Sequence, residues 1–282
     1  MTGALDKYGI SRLNVTHLSQ QFWCERQVAL SLEHPREETE EMAAGTEIHR
    51  ELMLEIVKEV SAETTTIEDE IYLMMLNLRT GLEQLVSEGK TRELRVFGRA
   101  GEFPLSGIID ELSLNDGQLT ILDHKTRTKP SLPPPPTFAT AEIQVMLYRK
   151  LLDDLRFGRY TPDQFFTDRR LPDLGDISPG MKDQLEAQGL YEKLTPAELT
   201  VEVFSAFRKL PAISDYLIVR YLHRDSGSHI GDKVVLHDPA ALDKKLSHAL
   251  KFWTGEREAT TVKSRERWKC NYCEYRGVHC PL

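Results

Sequence analysis

Apolar residues recur at helical spacing near the start of the chain, alternate in its middle, and return to helical spacing further on, so the chain divides on those changes alone. Leu18, Phe22, Trp23 and Ala29-Leu30 form a stripe that predicts an N-terminal helix with Cys24 on or near it. The polar stretch 34–41 reads as a loop. Ile48, Leu52, Ile56 and Val60 predict a helix over 45–60, with His49 beside its apolar stripe. A second amphipathic helix spans 68–87, and Gly89 closes it as a C-terminal signal. From Glu93 the chain turns to short β-prone runs, separated by Arg99-Ala100-Gly101 and by Asn115-Asp116-Gly117. The second separator is a tight hairpin signal between 108–114 and 119–123, and three antiparallel strands are the simplest reading. Pro130 and Pro133 to Pro136 predict an extended connection, because proline cannot continue a strand. Ile143, Leu147 and Leu151 then mark a helix over 140–155. Pro, Gly and Asp punctuate residues 157–195, which read as an inserted excursion with a short helix over 181–188, leading into another over 196–210. Two more strands at 216–222 and 233–236 and a helix at 239–253 precede the cysteine-rich tail.

Composition narrows what such a chain can do. With 282 residues, 40% of them hydrophobic, it can bury a core as one large domain or two small ones. Its formal net charge of -8 excludes a generally basic surface, so any grip on nucleic acid must come from a local cluster of cations. No apolar run approaches the roughly 18 to 20 residues of a membrane span, and the opening residues lack the apolar core of a signal peptide. The expectation is an intracellular protein of the cytoplasm, or of the nucleus or mitochondrion in a eukaryote. Four cysteines are too few for a disulfide scaffold in a chain of this length and suggest metal.

Chemistry concentrates in two places. Asp110 and Asp123 each end an apolar run, and Lys125 follows two residues after Asp123, on the same face of a strand. Strands joined by a short hairpin can bring the carboxylates together, where they repel unless a cation joins them. Oxygen ligands favour Mg²⁺, with Mn²⁺ as a substitute. Such an ion can activate water and stabilise charge on a phosphate under attack. The competing reading is a strand cap at Asp110 and a solvated pair of Asp123 with Lys125. Gln144 and Tyr148 share one face of the following helix, and Arg127, Lys129 and Arg149, with Lys150, Arg156 and Arg159, are candidates to grip phosphates. At the ends, Cys270, Cys273 and Cys280 supply three thiols in a short tail, leaving one position of a tetrahedral set for the distant Cys24. Zinc and an iron–sulfur cluster both suit thiolates, and the spacing does not separate them.

Gly45-to-His49, Gly107-Ile108-Ile109-Asp110, Asp123-His124-Lys125 and the Gln144/Tyr148 pair together resemble the RecB type of PD-(D/E)XK nuclease. The wording is closer still to the exonuclease V family, through Trp23-Cys24-Glu25, Val96-Phe97-Gly98, residues 107–112, Lys125-Thr126-Arg127 and Trp268-Lys269-Cys270. The resemblance runs from about Val15 to Cys280 and is weakest over 158–200. It implies an α/β, restriction-endonuclease-like core, a central mixed sheet flanked by helices, with a helical insertion. As one nuclease domain, its core would cover about 40–155 and 212–255, the insertion about 158–210, and cluster-binding ends about 15–35 and 265–282. It implies that His49, Asp110, Asp123 and the His124 carbonyl bind Mg²⁺, that Lys125 is the catalytic lysine, and that Gln144 and Tyr148 hold substrate. Many relatives carry Glu where this chain has Asp123. It further implies a [4Fe–4S] cluster on the four cysteines, as in the related CRISPR adaptation nucleases. The implied activity is hydrolysis of single-stranded DNA from an end, in DNA repair or maintenance, by a monomer, with a single-strand-binding protein as candidate partner. The alternative is a non-catalytic iron–sulfur or zinc protein that binds DNA or serves assembly.

Overall fold

A computed structural model describes residues 3–35 and 60–282. The loop expected from 36 onward, the helix expected over 45–60 up to residue 59, and His49 with it lie outside the described residues. Alternation of apolar positions produces the sheet. Strands β2 (Lys90–Ala100), β3 (Phe103–Asn115) and β4 (Gln118–Arg127) form the expected antiparallel series. Asp116 and Gly117 turn the β3–β4 hairpin with φ of 49° and 76°. Positive φ at both central residues is the twist-matched hairpin turn that Asp-Gly favours. Strands β5 (Tyr216–His223) and β6 (His229–Leu236) extend the sheet, β5 parallel to β4 and β6 antiparallel to β5. A two-residue strand β1 (Leu13–Asn14), which no period in the sequence announces, pairs parallel with β3. The sheet is therefore mixed, in the order β1-β3-β4-β5-β6 with β2 also on β3.

Helices cover it. After α1 (Ala4–Lys7) and β1, Asn14 caps α2 (Val15–Glu33), accepting from the His17 N–H at 2.7 Å. Thr66 and Asp69 form a capping box for α3 (Ile67–Glu88), and Gly89, at φ 75°, ends it as expected. Helix α4 (Pro135–Arg156) starts five residues earlier than its apolar stripe suggests. Pro130, Pro133 and Pro134 stay in the expected connection, with Pro134 extended, but Pro135 and Pro136 open the helix, since residues at its first positions have no intrahelical use for an N–H. The same logic reveals α5 (Pro162–Arg169), absent from the sequence reading: Thr161 caps it and Pro162 begins it. Helices α6 (Pro179–Ala187), α7 (Pro196–Arg208) and α8 (Pro239–Trp253) also begin on proline behind a Ser, Thr or Asp cap.

The excursion shares the main core. Phe165, Met181, Leu185, Val203, Phe204 and Phe207 are buried in the same apolar cluster as Val96, Ile109, Leu147 and Trp253. Asp69 anchors it from below, accepting from the Ser178 N–H at 2.7 Å and from the Thr65 N–H at 3.0 Å. Close approach of α4 to the sheet needs glycine at two points: a Cβ on Gly98 would sit 2.7 Å from Leu151, and one on Gly107 would sit 2.8 Å from the Tyr148 ring. Among the described residues no helix is long and apolar enough to cross a membrane.

Candidate functional site

Strand β2 runs along one whole edge of β3. The other edge is shared: β1 pairs at Leu105 and Ser106, and β4 pairs from Glu111 onward. At residues 107–110 that ladder is interrupted. Continuing the β3–β4 register one step beyond Glu111 and Leu122 brings Asp110 opposite Asp123. Here the strands part, and the Asp110 carboxylate accepts the His124 backbone N–H at 2.7 Å. The site thus lies at the open end of the hairpin, away from its turn at Asp116 and Gly117.

Asp123 is fully buried, and the Lys125 ammonium stands 3.0 and 2.9 Å from its two oxygens. Burying a carboxylate is costly without such a cation. Burial alone would lower the Lys125 pKa, but the charges of Asp123 and Asp110 hold it above the ordinary lysine value. The Tyr148 hydroxyl accepts from Gln144 at 2.8 Å. Burial, then the charges of Asp123 and Asp110, pushes its pKa well above the tyrosine range, so the phenol keeps its proton and faces both carboxylates. Asp110, Asp123, Lys125, Gln144 and Tyr148 are therefore assembled from two strands and one helix.

The His124 ring points elsewhere. Its Nε2 lies 3.3 Å from the buried Glu111 carboxylate, which Arg92 and Lys90 also approach at 3.0 and 3.3 Å. Burial would raise the Glu111 pKa, yet the His124 hydrogen bond and the two cations bring it down to about 2. Its backbone N–H, by contrast, is turned toward Asp110. Arg127 leaves β4 beside the Tyr221 ring, 5.9 Å from its centroid, and Lys129 follows it, exposed. Arg149 differs from its expected role at a DNA surface: it binds Asp153 and the Ser214 carbonyl, both at 2.7 Å, and is consumed in joining α4 to the segment before β5.

One residue went unnoticed in the sequence. Glu93 occupies the β2 position between those paired with Glu111 and Ile109, across from Asp110, and has φ 52°. Left-handed backbone at a non-glycine residue inside a strand is strained and is found where function over-determines it. Its charge acts on the Tyr148 phenol. No periodicity signals such a residue; it shows only as a glutamate inside a β-prone run.

The cysteines converge as well. Cys24, Cys270, Cys273 and Cys280 line one cleft with about 390 Å³ of atom-free space, part of it open to solvent. Cys24 sits at a break in α2, its backbone extended at φ −162° and ψ 112°, rather than on a continuous helix. The break turns Cys24 into a cap: burial raises its thiol pKa, while the N–H groups of Gln27, Val262 and Arg26 hydrogen-bond to the sulfur and oppose that rise. Cys273 interacts electrostatically with Cys24, Cys280 and Cys270. Ordinary contacts also tie the ends. Buried Glu25 accepts from Arg257 at 2.7 Å and from the Thr260 N–H at 2.8 Å, and Tyr275 donates to the His34 carbonyl at 2.8 Å. Among the described residues no group of three or more His, Cys, Asp or Glu is placed to hold a metal ion.

Two solved folds are similar to this chain: SSO0001, at TM-score 0.40 and 13% identity over 96% of this chain and 86% of that one, and a Eubacterium rectale protein, at 0.42 and 11% over 99% and 94%. Sequence carries more. The family described as "Exonuclease V - a 5' deoxyribonuclease" matches residues 4–118, 115–198 and 183–280. Exonuclease V of Danio rerio is 31% identical over 282 residues, 97% of this chain and 71% of that protein. These matches span the Asp110, Asp123 and Lys125 constellation and the cysteines at both ends, and by them the chain belongs to the exonuclease V family.

Proposed function

We propose that the chain is a divalent-metal-dependent deoxyribonuclease that hydrolyses single-stranded DNA from an end, with a [4Fe–4S] cluster tying its N-terminal helix to its C-terminal tail. The observation that carries the reading is Asp110 and Asp123 at facing register positions where the ladder opens, with the Lys125 ammonium on Asp123. This donor set of oxygens fits Mg²⁺ or Mn²⁺. Asp110, Asp123 and the His124 carbonyl would hold the ion, joined by His49. When bound, it supplies a Lewis acid for the phosphate and lowers the pKa of water.

The chain's own groups do the rest. Lys125, fixed by Asp123, offers a positive charge to a phosphate gaining negative charge. Gln144 fixes the Tyr148 phenol, which keeps its proton and can donate to a phosphate oxygen beside the carboxylates. Arg127 and Lys129, leaving β4 past Lys125, can neutralise a neighbouring phosphate. For the cysteine cleft, support comes from the chemistry of the donors: four thiols on one cleft, with backbone N–H groups aimed at Cys24.

Incubating end-labelled single- and double-stranded DNA with the protein in Mg²⁺, Mn²⁺ or chelator tests this reading. Stepwise loss of the single strand in metal alone is expected, and Asp110→Ala should end cleavage while single-strand binding persists. Cleavage indifferent to chelator and to Asp110→Ala would remove both residue and metal from the reaction. Iron rather than zinc on elemental analysis, with broad visible absorbance, is expected of the purified protein.

A further inference from the structure

A large groove runs away from Tyr148 and Gly107, with about 2650 Å³ of atom-free space including open solvent. Arg12 before β1, Arg95 on β2 and Arg169 at the end of α5 all line it. Other arginines nearby have carboxylate partners: Arg92 lies 3.0 Å from Glu111, and Arg99 binds Asp168. Among the described residues no ion pair joins Arg12 or Arg95 to a carboxylate, and Arg169, next to Asp168 in the chain, feels the charges of Arg12 and Arg95 as well as that of Asp168. Arg169 is stacked over the rings of Phe165 and Phe97, 4.3 and 5.0 Å from their centroids, which fixes its guanidinium in place. Burial, and then the charges of Arg12 and Arg95, lowers its pKa to about 10. Glu70 and Glu93 also line the groove, Glu93 at the Tyr148 end opposite Asp110.

Three guanidiniums drawn from separate segments and held together repel one another, a cost that an anion between them would reverse. We infer that Arg12, Arg95 and Arg169 form a phosphate-binding site that grips the DNA strand beside the phosphodiester held at Asp110 and Asp123. Glu93 and Arg95 are two residues apart on β2, roughly 7 Å along a strand. The gripped phosphate is thus a near neighbour of the reacting one, and the groove fixes the direction in which the strand threads past Tyr148. The identity of the ligand as DNA rests on the nuclease reading; the anion site does not.

The test uses the full chain in chelator, so that nothing is cut. Melting is compared in inorganic phosphate and in chloride at equal ionic strength, and binding is measured to oligothymidylate carrying a 5′-phosphate or a 5′-hydroxyl. The variants are Arg12→Gln and Arg95→Gln, both at exposed positions that should not disturb folding, and Arg169→Gln. Phosphate should raise the melting temperature of the unaltered protein and lose that effect in Arg95→Gln and Arg169→Gln. Binding should weaken roughly ten-fold per variant, with the slope of log affinity against log salt falling by about 0.7. Loss confined to the 5′-phosphorylated strand identifies a terminal monoester, and equal loss for both identifies an internal diester. Phosphate stabilising variants and parent alike, together with unchanged oligonucleotide binding, would overturn the inference. If the parent ignores DNA but is stabilised by phosphate through Arg95, the anion site stands and the nuclease reading fails.

Discussion

The carboxylate site and the cysteine cleft solve the same problem, holding repelling or reactive groups together, by different means. Asp110 and Asp123 are set by strand register, thirteen residues apart across a hairpin that β2 and β5 flank, just past the point where the ladder between its own two strands stops at Glu111 and Leu122. The cysteines come from the two ends of the chain and meet where α2 breaks. A site of the first kind is rigid because the sheet is. A site of the second kind closes a loop of nearly the whole chain, and its entropic cost is offset by Glu25 with Arg257, Tyr275 with His34 and Lys269 against Trp23, contacts that do not involve the thiols. Pre-organisation by register suits chemistry, whereas long-range closure suits assembly.

Substitutions can separate the two. The largest effect should come from Asp123→Ala, a loss of about 10³-fold in single-turnover cleavage, read with circular dichroism to establish that the fold is kept. Persistent cleavage would break the comparison at its catalytic end. Cys273→Ser, at the thiol that interacts with the other three, should strip iron and leave residues of both ends open to limited proteolysis while the sheet stays protected. Full iron content in that variant would take the thiol out of the ligand set. Glu25→Gln should cost about 3 kcal/mol in denaturant melts, because Arg257 would keep its charge without a carboxylate. If it also releases iron, the ordinary contacts and the proposed cluster act as one unit; if not, they are independent.

A carboxylate outside both regions gives a smaller, pH-dependent effect. Burial would raise the Asp69 pKa, but hydrogen bonds from Thr65 and Ser178 bring it to about 2. A depressed folded pKa stabilises above the ordinary carboxylate value and is lost as pH falls, here from about 4 to about 2. Asp69→Asn should therefore cost about 2 kcal/mol at neutral pH and flatten the acid limb of stability. Smallest should be Gly117→Ala, about 1 kcal/mol at φ 76°, with cleavage unchanged because the turn lies at the far end of the hairpin.

Local rules made much of this legible. Alternating apolar residues and Asp116-Gly117 determine the hairpin, and the hairpin's register determines that Asp110 faces Asp123. The stripe Ile143, Leu147, Leu151 determines α4. Proline misled at 135–136 and at Pro162, because a residue that breaks a helix interior is equally suited to its first turn; before Pro162, Pro179, Pro196 and Pro239 a Ser, Thr or Asp cap marks the second use. Tertiary structure alone decided the rest. The interrupted edge of β3 depends on β1, two residues brought from elsewhere; Arg149 was withdrawn into a contact with Ser214; and Glu93 was forced to positive φ opposite Asp110. Periodicity records which way a side chain faces within its own element, whereas these outcomes depend on which other element arrives beside it, information that no short window of sequence contains.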